Sequence, residues 1–322
     1  MSRSLSTLSP YIRVAQVAVL IGLVALLWWS VDWRASADLL AAADLRWLVA
    51  SGLVLSIQTV LSALRWRISA ARLGITLTPT SAIREYYLSQ VVNQSLPGGI
   101  LGDANRALRA RAQAGLFVSG QAVIFERVAG QLGLLTVLIL GLIGTVVAPT
   151  GVTWPFWLLA PVATGVATVI CVPILALVGL RLFGVPDTGL RRVISSFADT
   201  VFAPTVRSRQ IALSLATAIC NVAAFALCAA ALGIVFPTGV SAVLVPLILF
   251  AMVVPLSISG WGLREGAAAA LFPLAGATAA EGLAASVAFG LVFLATVLPG
   301  LLVPWLRPNA PFFGQPRATF KR

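Results

Sequence analysis

The sequence predicts an all-α polytopic membrane protein with six full spans and two re-entrant, interrupted hairpins, arranged as two inverted repeats. Three observations support this fold class. The 322 residues are 59% hydrophobic and only 10% charged, whereas soluble domains carry about 25% charged residues. Apolar runs recur at the length that crosses a hydrocarbon layer, about 20 residues. Two further apolar stretches are broken at their centres by Pro and Gly, and no hydrophilic stretch reaches domain size, so residues 1–322 are expected to form a single membrane domain.

Six continuous apolar runs are predicted to be spans, and they lie at 12–31, 47–64, 119–148, 154–182, 209–235 and 284–306. The first run resembles a signal peptide, since Ala35-Ser36-Ala37 follows it as a cleavage-like site. Charged Asp32 and Arg34 intervene, and the apolar run is longer than a usual signal core. We therefore expect the first run to be a retained helix.

The basic residues predict the orientation of these spans. The net charge is +12, with 22 Lys and Arg against 10 Asp and Glu. Lys and Arg accumulate in short cytoplasmic loops, and they also contact anionic headgroups, so we interpret them as topology signals rather than as a nucleic-acid surface. The residues assigned to the cytoplasm are Arg3, Arg13, Arg65, Arg67, Arg72, Arg109, Arg111, the arginines of the 181–209 loop, and Arg307, Arg317, Lys321 and Arg322. This places both termini, including the polar tail 307–322, in the cytoplasm. The use of Arg rather than Lys and the many alanines indicate a GC-rich bacterial genome, so we expect the chain in the inner membrane of a bacterium.

The two interrupted stretches, 81–115 and 241–276, are predicted to return to the face from which they enter. The second span ends inside at Arg65 and the third begins inside near Arg111, so the first stretch must enter from the cytoplasm. By the same count the second stretch enters from outside.

The two breaks also share a spacing. Pro97-x4-Gly102-x3-Arg106 matches Pro255-x4-Gly260-x3-Arg264 about half a chain further on. Interrupted segments at corresponding positions of two halves are typical of inverted repeats in secondary transporters. The predicted halves are about 1–150 and 151–310.

The first break predicts a phosphate-binding arrangement. Pro97, Gly98 and Gly99 interrupt the helix and free backbone N–H groups. A helix restarting near Asp103, as N-cap, would direct its N-terminus at the break, with Arg106 one turn in. The full expected substrate-binding set is Asn93, Pro97, Gly98, Gly99, Gly102, Asp103, Arg106, Glu126, Arg127, Ser257, Ser259, Gly260, Arg264 and Glu265.

Intramembrane charges need partners. Because adjacent helical residues point about 100° apart, Glu126 and Arg127 cannot simply neutralise each other. We expect Glu126 to pair with Arg106 or Arg264, and Arg127 with Asp103. The alternative for Glu126 and Arg127 is that both lie at the cytoplasmic interface, and the alternative for the two breaks is that they are structural turns with local ion pairs. Other polar and aromatic residues are given surface roles: Arg84, Glu85, Tyr86 and Tyr87 as interfacial, Trp66 as part of an aromatic belt, and Glu281 as a surface cap.

Several kinds of chemistry are not expected. The chain has no His, and Cys171, Cys220 and Cys228 lie in apolar runs without CxxC spacing, so no catalytic residue, metal site or cofactor is predicted. A GxxxxGK[ST] nucleotide loop is missing from the sequence. Any driving force is then an ion gradient, lipid metabolism or a partner.

Four motifs in order resemble the lysylphosphatidylglycerol synthase transmembrane-region family, the flippase-like domain: RWRISAARLGI, YYLSQVVNQSLPGGILGDANRA, FERVAG and PLSISGWGLREGA. The resemblance covers roughly residues 61–306 and implies a domain that moves a lipid between leaflets. In fused members the cargo is an aminoacylated phosphatidylglycerol made by a downstream synthase domain; stand-alone members are associated with glycolipid, polyprenyl-lipid or hopanoid pathways. Because the sequence ends at Arg322, synthesis of the aminoacyl lipid is not expected. The sequence also has Leu101 where the family often has a second glycine, and Gly290 where an arginine is common.

The predicted function is therefore a lipid flippase or transporter without enzymatic activity. Its expected partners are membrane lipids, either anionic phospholipid or polyprenyl-phosphate lipid, with a separate lipid-synthesis enzyme as a further candidate and no nucleic acid. Two alternatives stay open. One is a membrane-embedded lipid-modifying enzyme with Asp103, Glu126 or Glu265 as acid or base; the other is a non-transporting scaffold of a lipid-synthesis complex.

Overall fold

The computed structural model describes residues 31–95, 100–148, 152–167, 189–253 and 260–302, and every regular element in these ranges is helical. The α-helices of the described ranges are α1 Trp33–Ala41, α2 Leu45–Arg72, α3 Pro79–Ser95, α4 Leu101–Val147, α5 Phe156–Ala167, α6 Gly189–Val201, α7 Arg207–Ala231, α8 Thr238–Phe250, α9 Leu263–Leu271 and α10 Ala279–Val297. Short 3-10 turns extend α8 (Ala251–Val253), α9 (Phe272–Ala275) and α10 (Leu298–Leu302).

Among the described residues, four helices are long and apolar enough to cross a membrane: α2, α4, α7, and α10 with its final 3-10 turn. They correspond to the spans predicted at 47–64, 119–148, 209–235 and 284–306. Of the two other predicted spans, 12–31 lies outside the described residues except at its last position, and α5 covers only part of 154–182. The all-helical membrane fold is confirmed, while the count of six spans stays a prediction.

Helix α4 is bent at Gly115, where the backbone leaves the helical region (φ 79°, ψ 162°). Glycine tolerates this positive φ because it has no Cβ. A straight helix of 47 residues would be about 70 Å long, more than twice the hydrocarbon thickness. The bend divides α4 into a first arm, 101–114, which belongs to the first interrupted stretch, and a second arm, 116–147, which matches a predicted span.

Both interrupted stretches are helix–break–helix units whose two ends lie together. The first consists of α3 and the first arm of α4; the Thr76 amide before α3 donates to Gln113 Oε1 at the end of that arm, at 2.8 Å. The second consists of α8 and α9; the rings of Phe236 before α8 and Phe272 after α9 lie 5.1 Å apart. These contacts support the predicted hairpins, whose placement in the membrane stays a prediction. The breaks themselves, with Pro97, Gly98, Gly99, Pro255, Ser257 and Ser259, lie outside the described residues.

The helix before each hairpin ends in the same turn. Gly74 after α2 and Gly233 after α7 have positive φ, 83° and 81°. The next residue, Ile75 or Ile234, donates its amide to a carbonyl five residues back, at 2.9 and 3.0 Å, the pattern of a Schellman cap. The two predicted repeats therefore share this turn. The division of the chain into two inverted halves stays a prediction.

The interior differs between the two hairpin regions. Around α7 to α10 the core is centred on the rings of Phe225, Phe272 and Phe289 and includes one buried ion pair, Arg264–Glu265. Around α2, α3 and α4 the buried residues include ion pairs. The charged interior of this region holds the candidate site.

Candidate functional site

Five charged side chains from α2 and α4 meet beside the first break; we call this set the Arg106 cluster, and its members are Arg65, Asp103, Arg106, Glu126 and Arg127. Arg106 is 0% exposed and Glu126 is 1% exposed. Charges at such burial are costly unless they are paired and hydrogen-bonded. The cluster therefore needs a partner for every charge.

The carboxylate of Glu126 lies at the centre of the cluster. Its Oε1 accepts hydrogen bonds from Arg65 Nη2 at 2.6 Å and from the Tyr86 hydroxyl at 3.3 Å, and its Oε2 lies 3.4 Å from Arg106 Nη2. Arg106 Nη2 also donates to Asp103 Oδ1 at 3.0 Å. On its other oxygen Asp103 accepts from Arg127. The predicted pairs Glu126–Arg106 and Arg127–Asp103 are both present, but Arg65 is the closer partner of Glu126.

Arg106 is held between two aromatic rings. Its guanidinium carbon lies 4.4 Å from the ring centroid of Trp66 and 4.6 Å from that of Tyr86. Stacking of this kind covers the flat faces of the guanidinium and leaves its edge for hydrogen bonds. On that edge, Nε and Nη1 have no hydrogen-bond partner within the described residues. The arginine is thus fixed in place with two donors unused.

The formal charges of the cluster also leave positive charge in excess. Three arginines face two carboxylates, which leaves one formal positive charge; Arg65 and Arg106 are buried, whereas the Arg127 side chain is 47% exposed. An uncompensated buried charge is strongly unfavourable. The cluster is one anion short of formal neutrality, and the unused donors of Arg106, its fully buried arginine, are where an anion would bind.

The start of α4 is held by α3 rather than by its own side chains. The helix begins at Leu101, with Ile100 as a cap residue that makes no side-chain hydrogen bond. The amide of Gly102 donates instead to Asn93 Oδ1 at 2.8 Å. Asp103 lies inside the first turn and accepts from Ser89 and the two arginines, so the prediction that Asp103 is the N-cap is wrong. Its carboxylate accepts hydrogen bonds from the arginines instead of from backbone N–H groups at the start of the helix.

Several side chains given surface roles lie inside. Glu85 is 0%, Tyr86 9% and Trp66 1% exposed, so neither the interfacial role nor the aromatic-belt role holds for them. Arg65, assigned to a cytoplasmic loop, is a buried residue of α2. A signal for it exists in the sequence: Gln58, Ser62, Arg65 and Ser69 recur at helical spacing and are all buried. Glu281 is confirmed as a surface cap, since it accepts from the Thr278 amide at the start of α10.

The second motif forms a separate and neutral group, the Arg264 cluster, which consists of Arg264, Glu265 and Ser286. Arg264 Nη2 donates to Glu265 Oε1 at 2.6 Å, and its Nε donates to Ser286 Oγ at 2.9 Å. The other Glu265 oxygen accepts from the Gly262 amide at 2.6 Å. Arg264 is 1% exposed and its charge is matched by one carboxylate.

Gly290 makes room for this arginine. A Cβ at Gly290 would lie 2.2 Å from Arg264 Nη2 and 2.8 Å from the Trp261 ring. The Arg264 guanidinium also lies 5.0 Å from the Trp261 ring centroid and 5.4 Å from that of Phe289. The arginine thus has two aromatic neighbours, as Arg106 does.

Within the described residues, no hydrogen bond or ion pair joins the two clusters. The Arg106 cluster reaches the second half of the chain at another point, where Arg65 Nη1 donates to Thr217 Oγ1 of α7 at 2.7 Å. Two cavities of about 310 and 380 Å³ lie instead along the second arm of α4, and apolar side chains dominate their walls. A polar cavity shared by both hairpins, as the sequence predicted, stays a prediction, and so does the binding role of each residue.

Comparison with known proteins adds one result. Residues 13–300 match a family model described as the lysylphosphatidylglycerol synthase TM region, and this range includes both clusters. No curated protein and no solved structure matches the chain.

Proposed function

The chain belongs to the lysylphosphatidylglycerol synthase transmembrane-region family, and on this premise we propose that it moves a phosphate-bearing lipid between the leaflets of the bacterial inner membrane. The family and the apolar helices make it a multi-pass membrane protein of the lipid-metabolism and flippase type. We propose in addition that the protein transports the lipid and that both of its termini lie in the cytoplasm. The lipid classes it covers are phospholipid, aminoacyl-phospholipid, glycolipid and polyprenyl-phosphate-linked lipid.

The observation that supports this proposal is the missing anion of the Arg106 cluster. A lipid phosphodiester carries one negative charge and accepts charge-assisted hydrogen bonds, which arginine provides in a fixed geometry. Bound at Nε or at Nη1 of Arg106, it would bring the formal charge of the cluster to zero. Asp103 and Glu126 then serve to hold the three arginines in position rather than to act as an acid or base.

The Arg264 cluster has a different part in the proposal. Because Glu265 already neutralises Arg264, this arginine receives a phosphate only after that pair opens. We therefore propose that the phosphate contacts Arg106 before it contacts Arg264.

Reconstitution of the Arg106→Gln variant tests the function. Proteoliposomes would contain phosphatidylglycerol with a fluorescent headgroup-proximal label, and a membrane-impermeant quencher would report movement between leaflets. Removing Arg106 leaves two arginines against two carboxylates, so the cluster becomes charge-balanced and the variant is expected to fold. Loss of one charge-assisted hydrogen bond, about 1.5–3 kcal/mol, should slow transport by about tenfold or more.

Arg46→Gln is the matched control, because Arg46 is exposed at the start of α2 and should transport as the parent protein does. Equal rates in Arg106→Gln and Arg46→Gln would remove Arg106 from the site. Mass spectrometry of the same lipids separates the competing functions: a new lipid species would point to an enzyme, and the absence of both movement and turnover in the parent protein would point to a scaffold.

A further inference from the structure

Hydrogen-bonded side chains recur along the interface between α3 and the first arm of α4. Three contacts cross it, each about one helical turn from the next on α3. Asn93 accepts from the Gly102 amide, Ser89 donates to Asp103, and Glu85 pairs with Arg109. The first two contacts belong to the site described above, whereas the third has no part in it.

Buried polar atoms without partners gather along the same interface. Within the described residues these include Glu85 Oε1, Asn93 Nδ2, and Nε and Nη1 of Arg106. Most buried polar atoms in proteins are hydrogen-bonded, so a group of unpaired ones marks a place where water or a ligand binds. A polar path thus leads along α3 from Glu85 toward the break.

Glu85 is fully buried and only half paired. Its Oε2 accepts from Arg109 Nε at 2.6 Å and lies 2.5 Å from Arg109 Nη2, while its Oε1 has no partner in the described part of the chain. Arg109 itself is 21% exposed at its side chain, so it reaches from the buried carboxylate to the surface.

Few other charges face Glu85. The first arm of α4 contributes Arg109 and Arg106, and α3 contributes Arg84. Helix α2 directs Arg65 to Glu126 and Arg67 to the Leu77 carbonyl. In α10 and its final 3-10 turn the charged residue is Glu281. Its carboxylate accepts from the Thr278 amide at the start of α10, the end opposite the 3-10 turn.

We propose that Glu85 takes up a proton when a lipid phosphate binds Arg109 on its way to Arg106, so that lipid binding is coupled to protonation. This inference rests on the proposed function. Glu85 occupies the Nε–Nη2 edge of Arg109, so a phosphate that binds this same edge takes the place of the carboxylate. A buried carboxylate that loses its arginine is an uncompensated charge, and such a group neutralises by protonation.

The exchange is balanced in charge and in bonds. A proton from cytoplasmic water forms an O–H bond at the Glu85 carboxylate, and a phosphate oxygen replaces that carboxylate at the N–H groups of Arg109. One positive and one negative charge enter the site together. By linkage, protonation of Glu85 would then raise the affinity for lipid, and bound lipid would raise the affinity for the proton by the same factor. A proton gradient would therefore influence lipid binding.

Calorimetry of the full chain in detergent tests this coupling without requiring transport. Dihexanoyl phosphatidylglycerol is titrated at one neutral pH into protein in two buffers that differ in ionisation enthalpy, which yields the protons taken up per lipid. The parent protein should take up protons on binding, by linkage up to about one per lipid. Glu85→Gln should still bind lipid but take up almost none, whereas Glu281→Gln, altered at the exposed cap of α10, should behave as the parent protein does.

The outcomes separate this inference from the function on which it rests. Binding by the parent protein without proton uptake, or equal uptake by Glu85→Gln, would overturn the coupling and leave the phosphate site intact. Failure of the parent protein to bind the lipid would overturn the site itself. If Glu85→Gln does not fold, the Glu85→Gln/Arg109→Gln pair, which removes both charges of the ion pair, is expected to fold and to show no uptake.

Discussion

Arg106 and Arg264 occupy equal positions in their motifs, yet their surroundings give them different properties. Arg106 shares two carboxylates with Arg65 and Arg127 and keeps two donors unused. Arg264 has Glu265 to itself, together with Ser286. Most of this difference comes from Glu265, the residue directly after Arg264. The residue after Arg106 is an alanine.

At the residue scale, Gly290 provides a direct test of how tightly Arg264 is held. Gly290→Ala places a Cβ against the Arg264 guanidinium and the Trp261 ring. Overpacking of this kind should destabilise the protein by about 1–3 kcal/mol, which thermal unfolding in detergent would measure. Gly120→Ala is the control, since nothing lies within 4 Å of a Cβ there, and it should be neutral or slightly stabilising. Similar unfolding of the two variants would contradict the packing described here.

At the element scale, the sequence predicted the positions of most long helices from their apolar runs and the positions of the interruptions from Pro and Gly. The apolar runs located α2, α7 and α10, and the prolines and glycines located the breaks. The N-cap role of Asp103 could not be judged from local sequence, because arginines from distant positions take its carboxylate. Glu85 was misplaced for a related reason: its burial depends on Arg109, which lies across the hairpin interface. Tertiary pairing, rather than helix propensity, decided both cases.

The predicted hairpins give an element-scale prediction about sidedness. In a variant lacking the three native cysteines, Ala112→Cys in the first arm of α4 should react with an impermeant thiol reagent from the cytoplasmic side alone. Val235→Cys, which is 80% exposed in the parent protein between α7 and α8, should react from the opposite side alone. The expectation follows because the first hairpin begins and ends beside Thr76, after a span whose inner end carries arginines. Labelling of both positions from one side would overturn the inverted arrangement.

At the scale of the whole molecule, α2 and α7 join the two predicted halves. The two helices run antiparallel and are connected by polar contacts spread along their length. These contacts are Ser69–Gln210 at 3.0 Å, Arg65–Thr217 at 2.7 Å, Ser51–Ala224 at 2.9 Å and Asp44–Ala231 at 2.8 Å. Hydrogen bonds between helices hold specific geometry in a membrane, where apolar contacts alone discriminate poorly against lipid. Of these four contacts, the one through Arg65 also reaches the candidate site.

Thr217→Val tests whether this connection supports the site. The substitution keeps the shape of the side chain but removes the oxygen that accepts from Arg65 Nη1. Because Arg65 is 5% exposed, its donor would be left buried and unpaired, and the protein should lose about 1–3 kcal/mol of stability. Thr136→Val is the matched control, since Thr136 is exposed and donates only within its own helix; it should change stability little. If Arg65 holds Glu126 in place, Thr217→Val should also weaken lipid binding at Arg106 in the calorimetric assay, whereas a loss of stability with unchanged lipid binding would confine Arg65 to a structural role.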